Sequence, residues 1–146
     1  MSKHPSFQSS PLLFSSHDDQ GTQLLTPITA GFPSPATGHT EDGIDVDALL
    51  IRNRPATFLM LVGGDSMIGA GIFNRDKIVV DRSITAAPGM VVVAAVDGEL
   101  TIRRLVQDGN RKLLAAEHPA FTPIDITGRD DVEFWGVVTY GLRKLY

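Results

Sequence analysis

From Thr57 onward, apolar positions come in short blocks divided by glycine, proline, aspartate and asparagine, the pattern of strands joined by tight turns. Thr57-Phe58-Leu59-Met60-Leu61-Val62 predicts a first strand and Lys77-Ile78-Val79-Val80-Asp81 a second. Residues 90–96 and 99–106 predict two more, on either side of Asp97-Gly98. An Asp-Gly pair between two β-rich runs is the signal for a two-residue type I′ hairpin. In that hairpin Val96 pairs with Glu99, and Arg103 lies opposite Val92. Gln107-Asp108-Gly109-Asn110 turns into a further strand over 111–116, and Ile124-Asp125-Ile126 forms a short one. Residues 132–145 predict a long last strand, bent at Gly136 or Gly141. An exposed strand of that length invites aggregation, so it is expected to lie at a sheet edge covered by a second copy. The fold class is mainly β, an antiparallel domain with short connections.

Upstream the pattern dissolves. Residues 1–30 are rich in Ser, Pro, Thr, Gln and Gly, and their apolar residues come in isolated pairs; this predicts a flexible arm. Ala30-Gly31-Phe32-Pro33-Ser34-Pro35-Ala36 holds two close prolines, which favour an extended backbone. It reads as a plain linker or as a strand-like peptide that a protease cleft binds. Residues 41–53 predict a short helix, with Asp45 as N-cap and Pro55 stopping it. The domain plan is therefore an arm over 1–30, a linker and helix over 31–55, and a β-rich domain over 56–146.

Composition narrows the function classes. A 42% hydrophobic fraction over 146 residues suits one soluble domain with appendages. With no cysteine there are no disulfides, thiolate metal sites or cysteine nucleophile, which fits a cytoplasmic protein. A net charge of -4 argues against direct grip on nucleic acid, which uses basic patches. No apolar run reaches the roughly 18 residues of a membrane span. His4, His17, His39 and His118 lack metal-site spacing, and Glu41, Asp42, Asp45 and Asp47 lack the order of a calcium loop, so no metal or cofactor is expected.

The candidate chemistry sits in Gly63-Gly64-Asp65-Ser66-Met67-Ile68-Gly69-Ala70-Gly71. Glycines free the backbone for sharp turns. Locally the stretch is either a turn capped by Asp65 or Ser66, or a strand exit that presents Ser66 as a nucleophile. It lacks the Gly-Lys-Ser/Thr ending of a phosphate loop. Without an obvious histidine partner, a serine needs another base, such as a lysine kept neutral by burial. Lys77, Lys112 and Lys144 read instead as solvated edge charges.

Gly64-Asp65-Ser66-Met67, Lys77-Ile78-Val79-Val80-Asp81, Val96-Asp97-Gly98-Glu99 with Thr101, and Phe134-Trp135-Gly136-Val137-Val138 together resemble the self-cleaving serine peptidases of the LexA and UmuD type. The resemblance runs from about Ala30 to the C-terminus. It implies a β-rich peptidase fold, Ser66 as nucleophile and cleavage at Ala30-Gly31 stimulated by a RecA filament. It further implies a homodimer or UmuD-type heterodimer, and service to a Y-family translesion polymerase in the SOS response to DNA damage. The chain departs from the pattern at one place. The family's lysine base, counted from the serine, falls on Arg103. Arginine stays protonated in proteins and cannot take the serine proton. It is left to stabilise an oxyanion or to pair with a carboxylate. Two expectations follow, a cleavage-impaired binding module or a peptidase served by another base or by a lysine-bearing partner.

Overall fold

The structure is a computed structural model and describes residues 45–146. Residues 45–52 belong to one compact unit and Asn53–Tyr146 to another.

In the first unit, helix α1 (Val46–Leu50) is short. Asp45 is its N-cap, accepting a hydrogen bond from the Ala48 amide at 3.0 Å. The helix ends well before Pro55, contrary to the expectation that the proline stops it. Pro55 instead lies in a 3₁₀ turn, Arg54–Ala56, where its fixed φ suits the first positions.

The second unit holds seven strands: β1 (Thr57–Leu61), β2 (Lys77–Asp81), β3 (Val91–Val96), β4 (Glu99–Asp108), β5 (Arg111–Ala115), β6 (Ile124–Asp125) and β7 (Glu133–Leu142). They form one sheet in the order β1-β2-β7-β3-β4-β5-β6, with every pair antiparallel. Asp97 and Gly98 have φ of 51° and 79°, the two positive values a type I′ turn needs. The predicted register follows, with Val96 opposite Glu99 and Val92 opposite Arg103.

The expectation of an edge position for the last strand is wrong. β7 runs between β2 and β3, so it is an interior strand. It bends through two register shifts, beside Trp135 and beside Thr139, rather than at Gly136 or Gly141 themselves. Gly136 has a different task. A Cβ there would lie 2.6 Å from Val80 Cγ1, so the close approach of β7 to β2 requires glycine.

Side chains alternate between two apolar clusters, as the period of a strand dictates. Val93 joins Met60, Ile78, Val80 and Ile102 in one, with Met67 from the glycine-rich stretch. Val92, Ala94 and Val96 join Leu105, Leu114 and Val137 in the other. β3 is thus buried on both sides, which explains its unbroken apolar run. No helix among the described residues is long and apolar enough to cross a membrane.

Candidate active site

The stretch between β1 and β2 is a loop closed at its base. The Val62 amide donates to Asp76 O and the Arg75 amide to Val62 O, both at 2.8 Å. Gly64 turns the chain with φ 85°, and its amide donates to Asn74 Oδ1 at 2.9 Å. Met67, 1% exposed, anchors the loop in the core, and its carbonyl accepts from the Ala70 and Ile72 amides. Neither Asp65 nor Ser66 caps the 3₁₀ turn Ile68–Ala70 through its side chain; its N-cap is Met67, and Asp65 contributes only its carbonyl, to the Ile68 amide. Ser66 is therefore released from the capping role that the local pattern left open.

The backbone of Ser66 is clamped by Glu117. The Glu117 amide donates to Ser66 O at 2.8 Å, and the Gly69 amide donates back to Glu117 O at 2.9 Å. A Cβ on Gly69 would sit 2.8 Å from that same carbonyl, so the clamp depends on glycine. The Glu117 carboxylate accepts from Arg104 Nε at 2.6 Å, and Arg104 Nη1 also donates to Gly89 O at 2.7 Å. Farther along the loop, Arg143 from the end of the chain grips Asp76 with two 2.9 Å hydrogen bonds, donates to Gly71 O and stacks over Phe73 at 3.9 Å. The Arg143 hydrogen bonds hold the buried Asp76 carboxyl below the usual carboxylate range, against the opposing effect of burial.

Ser66 and Arg103, far apart in the chain, meet. Arg103 Nη1 donates to Ser66 Oγ at 2.8 Å and to Ile102 O at 2.7 Å. The guanidinium lies 5.5 Å from the centre of the Phe121 ring. Its Nε is buried with no hydrogen-bond partner, and no carboxylate among the described residues forms an ion pair with it. The expected alternative of a carboxylate partner is thus not met. Burial against neighbours such as the fully buried Val92 pushes the Arg103 guanidinium down from its ordinary value. Even so the group offers donors alone, and the Ser66 oxygen receives a hydrogen instead of giving one up.

Both residues line an open groove of about 680 Å³, together with Glu99 to Ile102 of β4, Phe121 and Ile124. Among the described residues no lysine or histidine lines it. Lys77, Lys112 and Lys144 are exposed, as expected of solvated charges. Ala30, Gly31, His4, His17, His39, Glu41 and Asp42 lie outside the described residues. The sequence reading missed Glu117, Arg104, Gly69 and the Asp76–Arg143 grip. The only local signal was the density of glycine around Ser66; the other partners come from distant strands.

Residues 23–139 match the family model described as Peptidase S24-like. The chain is similar to Protein MucA of Escherichia coli, 38% identical over 120 residues that cover 81% of each chain. It is similar to Protein SamA of Salmonella typhimurium strain LT2, 35% identical over 138 residues, 91% of this chain and 96% of that one. The LexA repressor of Vibrio campbellii is 38% identical over 110 residues, 75% of this chain and 53% of the repressor.

Proposed function

Because this chain belongs to the Peptidase S24-like family, we propose that it is a UmuD-like protein of the cytoplasmic SOS response whose self-cleavage is impaired and whose role is to bind. Its partners in this reading are a second copy or a UmuD-type relative, the catalytic subunit of a Y-family translesion polymerase, and the RecA filament. Ser66 keeps the nucleophile position and Arg103 takes the base position. Ala30 and Gly31 form the cleavage pair, and the arm over 1–30 stays attached to the domain over 56–146.

The observation that supports this reading is the 2.8 Å hydrogen bond from Arg103 to Ser66 Oγ. A guanidinium there cannot accept the hydroxyl proton, and it engages the lone pair with which Ser66 would attack a carbonyl. No lysine or histidine lines the groove among the described residues. Cleavage by a lysine-bearing partner subunit remains compatible with this geometry, since a substrate needs only its own Ala30-Gly31 segment.

The test is a gel time course of the purified chain, alone, with a RecA–single-stranded DNA–nucleotide filament, and with an active UmuD-type partner, at neutral and alkaline pH. We expect no cut by the chain itself in any condition. A cut only with the partner makes the chain a substrate. A cut at Ala30-Gly31 by the chain alone, faster at alkaline pH, shows that another base activates Ser66 and overturns the reading.

A further inference from the structure

The half-buried Arg103 guanidinium has an unusual set of neighbours. Buried charges are normally paired, and buried donors normally have acceptors. Here Nη1 is committed to Ser66 Oγ and Ile102 O, while Nε and Nη2 have no hydrogen-bond partner among the described residues. Nε is buried, and Arg103 is among the residues that line the groove. Nε is closed to a ligand, so an anion in the groove would meet Arg103 as a cation and not through the bidentate Nε–Nη2 edge. Ser66 Oγ accepts from Arg103, so its own hydrogen is free to point elsewhere. A cation and a hydroxyl donor therefore meet at one end of the groove.

The charge on the rest of the wall selects among anions. Asp65, Asp97 and Glu99 line the groove as well, and among the described residues only Asp97 of these has a cationic partner, Arg129 at 2.8 Å. With a net charge of -4, such a rim repels nucleic acid and multiply charged phosphates. Of the acids on the groove, Glu99 is four residues from Arg103 along β4, about 13 Å at 3.3 Å per residue, while Asp65 adjoins Ser66. That length, between the apolar side chains of Leu100, Phe121 and Ile124, accommodates about four extended residues.

We propose that the groove is a receptor for the free C-terminus of a peptide, with the terminal carboxylate on Arg103 and Ser66 and the preceding residues laid along β4 toward Glu99. Replacing a base by a guanidinium turns a site suited to an uncharged peptide bond into one that prefers the acid such a bond leaves when it is cut. The inference rests on the proposed placement of Ser66 and Arg103 in a peptide-binding groove. The natural probe is the segment that ends at the proposed cleavage pair, Thr26-Pro27-Ile28-Thr29-Ala30.

The experiment is fluorescence polarisation with the full chain and two labelled peptides of that sequence, one ending in a free acid and one in an amide. We expect the acid to bind at least tenfold more tightly than the amide. The preference should shrink as salt is raised from 50 to 300 mM and vanish in Arg103→Met. Equal binding of acid and amide, no binding of either, or an acid preference that survives in Arg103→Met overturns the proposal. Should Arg103→Met fail to fold by circular dichroism, competition of acetyl-alanine against acetyl-alaninamide on the unaltered chain decides the same question. Cleavage of Arg103→Lys, followed on a gel, reports separately on the site: a variant that cuts itself beside a parent that ignores the carboxylate leaves the functional reading standing and removes this one.

Discussion

Two arginines reach the loop that carries Ser66, and they are satisfied in opposite ways. Arg143 meets it with a carboxylate in place: two hydrogen bonds to Asp76, a third to Gly71 O and a stacked Phe73. Arg103 meets it, among the described residues, with a hydroxyl, one carbonyl, an unpartnered Nε and no carboxylate. The first arrangement is how a fold uses an arginine to tie chain segments together. The second carries the desolvation cost without the pairing that normally offsets it. The contrast separates a residue that builds the loop from one that defines what the loop can do.

The sharpest way to break the comparison is Arg103→Lys. A lysine facing Ser66 and desolvated by the same neighbours has its pKa lowered toward the range of a general base, an effect open to lysine and closed to arginine. General-base catalysis contributes about 10²–10⁴-fold. We expect Arg103→Lys to convert an uncut chain into one that cuts at Ala30-Gly31 with the RecA filament, faster at alkaline pH, as read by gel. An uncut variant under those conditions means that Arg103 does not occupy the base position.

A smaller effect comes from the clamp that Glu117 places on the Ser66 segment. Gly69→Ala forces a methyl group toward the backbone oxygen of Glu117, 2.8 Å away. Overpacking of this kind costs about 1–3 kcal/mol, and the displaced carbonyl would loosen its hold on the Ser66 segment. The denaturant midpoint should fall while the slope stays unchanged. In an Arg103→Lys background, cleavage should drop further than stability does. A midpoint equal to that of the parent would show that the segment yields freely.

The smallest effect belongs to the Arg143 side and appears only in acid. Asp76 has a carboxyl depressed in the folded state, chiefly by the Arg143 hydrogen bonds. Its contribution to stability is therefore complete above its unfolded value, about 3.9, and is lost as pH falls through the lower folded value. Thermal midpoints of the parent should decline below about pH 4. Those of Asp76→Asn should start lower at neutral pH and decline less steeply, so that the two curves converge. Parallel curves would remove Asp76 from the acid response.

The parts of this design that were legible in the sequence are those determined by neighbours in the chain. The Asp97-Gly98 turn sets the register of β3 on β4 by itself, and with it the placement of Arg103 opposite Val92. Asp45 caps a helix whose first turn follows it directly. The parts that escaped depend on which strands become neighbours. The length and apolarity of β7 are the same whether it lies at an edge or inside, and only the pairing with both β2 and β3 distinguishes them. Likewise nothing around Glu117 announces that its backbone will close on Ser66, since that contact requires β4 and β5 to be folded first.

The place of β7 also has a consequence for synthesis. β1 and β2 are made early and β3 to β6 later, yet in the sheet the two groups are joined only through β7, which the ribosome makes after both. Until residues 133–142 emerge, β2 and β3 both lack the strand that lies between them in the finished sheet. A transcript cut short before Glu133 would yield a sticky fragment instead of a smaller folded domain.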